Sequence, residues 1–271
     1  MKEREILKGK KRVVVKIGTS SLTYPNGKLN FQRIEKLVRV LSEIQAAGRQ
    51  IILVSSGAVA VGSGRMGIDR KPESLVEKQA LAAIGQAELI KIYQKFFDDH
   101  SQLTAQVLLT RDAITSSKRR QNARNTLFTL LEMRIVPIIN ENDAVSTEEI
   151  EFGDNDTLSA HVAELVDADL LILLTDIDGL YSADPKTDPE ASIISKVYDI
   201  SPGIEALATG SGTSFATGGM ATKIAAAKIC MESCIDMVIA NGSVPAVVHD
   251  ILNGQNVGTF FYFSRCLEMK L

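Results

Sequence analysis

Two hydrophobic periods exchange places along this chain, and an open parallel sheet covered by helices satisfies both. Short β-branched or leucine-rich runs at residues 13–17, 50–54, 105–109, 135–139 and 170–175 are apolar enough to be buried on both faces. Between them the apolar residues fall at helical spacing. In 30–47 they are Ile34, Leu37, Val38, Leu41 and Ile44, and Gly48 ends the pattern. Further helices are expected over 73–97, 122–133, 157–166, 219–233 and 245–252, strands at 237–240 and 258–263, and a polar hairpin at 144–152. Strand and helix in alternation make successive strands parallel and put helices on both faces. The expected architecture is an α/β three-layer αβα sandwich around a mainly parallel sheet. No linker rich in Pro, Gly or Ser interrupts it, so the 271 residues read as one domain of two lobes, about 1–165 and about 166–271.

Composition removes several classes of function. With 45% hydrophobic residues the chain can bury a large core, which excludes disorder. Its 30 basic and 33 acidic residues are spread along the sequence, and Lys10-Lys11-Arg12 reads as a solvated lead-in to the first strand, so nucleic acid is not an expected partner. No apolar run approaches the roughly 20 residues that span a bilayer, and the chain opens without a long apolar signal segment. Three cysteines make no disulfide framework, and a soluble protein of the reducing cytoplasm is the expectation. Cys230 and Cys234 stand one helical turn apart, with no neighbouring His or Cys to complete a metal set, so both are assigned a structural role.

In an open parallel sheet, ligands bind beyond the carboxyl ends of the strands, and those positions carry the chemistry here. The first strand runs into Lys16-Ile17-Gly18-Thr19-Ser20, the second into Ser55-Ser56-Gly57-Ala58, the fourth into Asn140-Glu141-Asn142-Asp143, and the fifth into Thr175-Asp176. Gly18 lets backbone approach an anion, and the hydroxyls and amides after it suit phosphate oxygens, with Lys16 as a cation beside them. Thr217-Gly218-Gly219-Met220-Ala221-Thr222-Lys223 opens a helix with two glycines and places Lys223 in its first turn. No Walker A string occurs. Gly153-Asp154-Asn155-Asp156 reads as an N-cap cluster, or as a carboxylate positioned to hold the two lysines; it lacks the further ligands of a Ca²⁺ loop. His100, His161 and His249 lie outside every one of these segments and are assigned structural or exposed roles.

Taken in order, these segments resemble the amino acid kinase family from about residue 13 to residue 261. The strings are Val-Lys-Ile-Gly-Thr-Ser at 15–20, Val-Ser-Ser-Gly-Ala at 54–58, Ile-Asn-Glu-Asn-Asp-Ala-Val at 139–145, Gly-Asp-Asn-Asp at 153–156, Leu-Leu-Thr-Asp at 173–176 and the 217–223 loop. The resemblance implies ATP-dependent phosphorylation of the γ-carboxylate of free L-glutamate, with Mg²⁺ on the nucleotide and no metal held by the protein itself. By the same resemblance Lys16 and Lys223 neutralise the phosphoryl group in transit and Asp156 orients both. Gly18, Thr19, Ser20 and Gly57 line the phosphate path. Ser56, Asp143 and Asn155 match glutamate-binding positions, in an N-terminal glutamate-binding lobe. Thr175, Asp176, Thr217, Gly218, Gly219, Met220, Ala221, Thr222 and Lys223 match nucleotide positions, those after residue 165 in a C-terminal nucleotide-binding lobe. The family further implies proline as a feedback inhibitor, a homo-oligomer (dimer or tetramer), and a glutamyl phosphate reductase as functional partner. Many members continue into an RNA-binding-type PUA domain, whereas this sequence stops at Leu271.

Two rival readings stand beside this one. Another acceptor on the same scaffold, such as acetylglutamate, aspartate, carbamate or a nucleoside monophosphate, is weighed at Asp143. A carboxylate there favours a free ammonium and repels a phosphate. A sensor that binds without turnover is the other, and it would have no need of both lysines and Asp156 together.

Overall fold

The computed structural model describes residues 2–24, 28–145, 155–185, 187–209 and 219–264. In chain order a 3-10 helix, Lys2–Gly9, precedes β1 (Arg12–Ile17), α1 (Thr19–Leu22), α2 (Phe31–Ala46), β2 (Gln50–Ser55), α3 (Ala58–Met66), α4 (Leu75–Asp98), β3 (Thr104–Leu109), α5 (Arg111–Thr115), α6 (Ser117–Glu132) and β4 (Val136–Glu141). Then follow α7 (Asn155–Leu165), β5 (Leu170–Thr175), β6 (Lys196–Val197), α8 (Pro202–Thr209), α9 (Met220–Glu232), β7 (Asp236–Asn241), α10 (Val247–Leu252) and β8 (Thr259–Phe261). The fold is α/β, and the eight strands among the described residues make a mainly parallel sheet. Two compact units divide the chain: Ile17–Glu151, and Met1–Lys16 with Phe152–Leu271.

In the Ile17–Glu151 unit the strands lie in the order β2-β4-β3, all parallel, with Leu53 opposite Ile138 and Thr104 opposite Val136. Asn30 caps α2 by accepting the Arg33 amide, and Gly48 ends the pattern at φ +96°, a left-handed conformation that disfavours a side chain. Helices α3 and α4 cross where neither has room for a methyl group. A Cβ on Gly85 would lie 1.8 Å from the Ala58 carbonyl oxygen, and one on Gly62 would lie 2.0 Å from that of Leu81. Buried Tyr93 of α4 shares a 2.9 Å hydrogen bond with Ser55 at the end of β2.

In the other unit the order is β1-β5-β7-β8-β6. Every residue of β5 is buried, and β5 pairs in parallel with β7 from Leu170 opposite Asp236 to Thr175 opposite Asn241. The last strand, β8, runs antiparallel to β7 and parallel to the short β6. Lys10 departs from its expected place in a solvated lead-in: it is buried, with Nζ 2.6 Å from Oδ2 of fully buried Asp236. The physical reason is that a buried carboxylate needs a counter-charge and donors. Asp236 also accepts from the Phe263 and Ser264 amides. Cys230 is a free, buried thiol whose pKa is pushed up by that burial. Cys234 takes part in a disulfide, a structural role of the kind assigned to it.

The long elements fall within a few residues of their expected limits. The 3-10 helix, α1, α5, α8 and β6 went unpredicted because each is too short to show a period. The hairpin expected at 144–152 lies, beyond residue 145, outside the described residues. Among the described residues no helix is long and apolar enough to cross a membrane.

Candidate active site

Three segments far apart in sequence meet in the unit of residues 1–16 and 152–271. Lys16 is carried on β1, Asp156 in the first turn of α7 and Lys223 in the first turn of α9. All three are buried, at 3%, 0% and 3% exposure. Lys16 Nζ lies 2.7 Å from Asp156 Oδ1, and Lys223 Nζ donates to Asp156 Oδ2 at 3.1 Å. The Thr222 hydroxyl lies 2.9 Å from the same Oδ2 and 2.8 Å from the Gly219 carbonyl oxygen, so it donates to one at a time. Burial raises the Asp156 pKa, but the charges and hydrogen bonds of Lys16 and Lys223 outweigh it, and the net shift is downward. Asp156 is therefore ionised at neutral pH and fixes both ammonium groups. The three groups sum to one positive charge in a site from which water is largely excluded, which suits a polyanion.

The nucleotide positions expected from sequence divide as follows. Thr175 ends β5, where its hydroxyl donates to Asp176 at 3.1 Å and its carbonyl accepts from the Gly242 amide. Thr175 is buried and Asp176 exposed. Gly219 caps α9 in an extended conformation, followed in the first turn by Met220, Ala221 and Thr222, whose amides have no acceptor within the helix, and by Lys223. Thr217 and Gly218 lie outside the described residues, as do Gly153 and Asp154. Asn155 opens α7 beside Asp156 and is buried. The histidines are elsewhere: His100 is exposed after α4, His161 lies on α7 with Nδ1 3.5 Å from Glu164, and His249 lies on α10.

The Ile17–Glu151 unit holds the remaining candidates. Gly18 caps α1, which begins with Thr19 and Ser20; Gly57 caps α3 at φ +97°. A Cβ on Gly57 would meet the Thr19 side chain at an ordinary 3.5 Å, so it is the left-handed backbone, not lack of space, that calls for glycine. Ser56 is buried just before it. Asp143 lies in the turn after β4 and borders a cavity of about 230 Å³ that Ala82, Ala83 and Gln86 of α4, Gln106 of β3 and Glu141 also line. Among the described residues two carboxylates and no lysine or arginine line this space. Burial pushes the Asp143 pKa up to about 6. Gln86 was missed at the sequence level. Its Oε1 accepts from Asn140 Nδ2 at 2.7 Å; in the sequence it is one of three glutamines of α4, with nothing to single it out.

Comparison with known proteins adds three findings. The model of the amino acid kinase family matches residues 11–241. The chain is similar to the glutamate 5-kinase of Clostridium perfringens (52% identical, 95% of this chain and 97% of that one) and to that of Listeria innocua (51%, 95% and 95%). It is 53% identical to the glutamate 5-kinase of Carboxydothermus hydrogenoformans over 98% of this chain and 72% of that protein. Among solved structures it resembles a carbamate kinase from Giardia lamblia bound to AMP-PNP (TM-score 0.67, 17% identity, 94% of this chain and 99% of that one). It also resembles a UMP kinase from Ureaplasma parvum (TM-score 0.64, 17% identity, 93% and 99%). At such identity the solved structures speak for the fold alone.

Proposed function

This chain belongs to the amino acid kinase family, and from its likeness to the glutamate 5-kinases within that family we propose that it phosphorylates the γ-carboxylate of L-glutamate with ATP. The product is L-glutamyl 5-phosphate, and the reaction opens proline biosynthesis. The observation that carries this reading is the buried Lys16–Asp156–Lys223 cluster in a chain about half identical to those relatives along nearly its whole length.

A carboxylate is already a competent oxygen nucleophile, so the chemistry needs no general base and no covalent enzyme intermediate. A γ-carboxylate oxygen forms a bond to the γ-phosphorus of ATP, the bridge from that phosphorus to the β-phosphate breaks, and its electron pair leaves on ADP. Catalysis is then positioning together with stabilisation of charge on the transferred group. Lys16 and Lys223 supply that stabilisation, and Asp156 sets their geometry without taking a proton. The first turn of α9 and the Thr175-Asp176 corner hold the nucleotide, while Gly18, Thr19, Ser20 and Gly57 present amides and hydroxyls along the phosphate path. Mg²⁺ would be carried on the nucleotide phosphates and would neutralise oxygen charge there.

The acceptor is recognised by Ser56, Asp143 and Asn155. The lining of the Asp143 cavity is anionic, which suits an α-ammonium and disfavours a phosphorylated or N-acetylated acceptor. Proline as inhibitor, a dimeric or tetrameric assembly and a reductase that consumes the labile acyl phosphate belong to the same proposal. Trapping with hydroxylamine tests it. With ATP and Mg²⁺, hydroxamate should form from glutamate and not from aspartate or acetylglutamate. Hydroxamate from another acceptor alone, or none while ATP still binds, would contradict it.

A further inference from the structure

We infer that the Gly85–Gln86 step of α4 is a positioning device for the acceptor: it sets two separate acceptor segments, Ser56-Gly57 and Asn140–Asp143, from one turn of helix. The inference rests on the functional reading above and goes beyond it, because neither residue belongs to any string that carries the family likeness.

The geometry lies wholly within the Ile17–Glu151 unit. Gly85 seats against the first residue of α3, so closely that a Cβ would come within 1.8 Å of the Ala58 carbonyl oxygen and 2.5 Å of the Gly62 amide nitrogen. Ala58 directly follows Ser56-Gly57, and Gly57 is held at φ +97°, so the seat of α3 on α4 fixes where that loop stands. One residue along, Gln86 accepts the Asn140 side-chain amide at 2.7 Å. The Asn140 Oδ1 in turn accepts the Glu141 backbone amide at 2.9 Å, which holds the end of β4 as the chain turns towards Asp143. Gln86 and Asp143 line the same cavity. Ser55, just ahead of the first segment, is tied to the same helix through Tyr93. Helix α4 thus acts as a ruler between the two segments, and Gln86 is the polar mark on it.

A positioning role and a merely structural one separate in kinetics. Gln86→Met keeps the side-chain length and removes the acceptor; Gln86→Glu keeps an acceptor oxygen. The expected result for Gln86→Met is a rise of roughly fivefold to tenfold in glutamate KM, from one lost buried-side hydrogen bond. ATP KM, kcat at saturating glutamate and melting temperature should stay near those of the unsubstituted protein, and Gln86→Glu should recover most of the loss. An unchanged glutamate KM in Gln86→Met would overturn the inference. So would a matching fall in kcat, ATP affinity and melting temperature, which would mark Gln86 as structural. Turnover of glutamate by the unsubstituted protein in the same assay reports on the functional reading separately.

Discussion

At Asp156 two opposing effects meet, and their balance decides what the side chain can do. Burial raises its pKa, while the two ammonium groups lower it by more and hold it ionised. In the proposed reaction Lys223 acts on charge that develops during transfer rather than on bound glutamate. Lys223→Ala should lower kcat by roughly 10²- to 10³-fold and leave glutamate KM within about threefold; equal changes in both, measured by steady-state kinetics, would count against a transition-state role. Asp143 behaves in the opposite sense, since burial raises its pKa to about 6. Its folded pKa lies above the unfolded value of 3.8, so it costs stability as pH rises from about 4 to about 6, and the full cost persists above that. Two results follow. Glutamate KM should climb as pH falls below 6 because the neutral acid no longer attracts an ammonium, and Asp143→Asn should raise the melting temperature at pH 7.5 while weakening glutamate binding. Both lysines and both aspartates stood out at strand and helix ends, but their roles were implied only by the family resemblance. The buried Lys10–Asp236 pair was not legible, because nothing local to a basic trio shows which of its members meets a carboxylate more than 200 residues away.

Among the elements, the crossing of α3 and α4 carries the most consequence for the site. Gly85→Ala has no room to relax, because the obstacle is backbone rather than a flexible side chain. It should destabilise the protein by about 1–3 kcal/mol and raise the glutamate dissociation constant, while ATP binding stays unchanged; urea unfolding and calorimetry read the two effects. The sequence reading recovered α2, α4, β5 and β7 because each is long or apolar enough to display its period. It recovered the parallel order for the same reason: helices alternate with strands. It did not recover the antiparallel β8, whose direction depends on the tight turn near Gly258 at φ +64° and on pairing with β7. Nor could it recover Gln86, since a glutamine on a half-buried helix face looks the same whether it meets water or Asn140. The helix crossing too is invisible locally, as a glycine in a helix signals close approach without naming its neighbour.

For the whole molecule, the arrangement of the chain brings residues from its start and from its second half into one unit. Lys2–Gly9 and β1 join a unit otherwise built from residue 152 onward. Buried Arg4 anchors that return, donating to the carbonyls of Ser195, Gln255, Val257 and Gly258. Lys16 is thereby delivered to Asp156 and Lys223, while Ser56 and Asp143 belong to the other unit. In the proposed reaction a phosphoryl group moves onto a carboxylate oxygen. Glutamate labelled with ¹⁸O in both γ-carboxylate oxygens tests that claim most directly, with the intact chain, ATP and Mg²⁺ present and hydroxylamine to release the product. Hydroxylamine attacks the acyl carbon, so the phosphate set free should carry one ¹⁸O atom derived from glutamate. Unlabelled phosphate would mean that water, not the carboxylate, accepts the group, and would contradict the account.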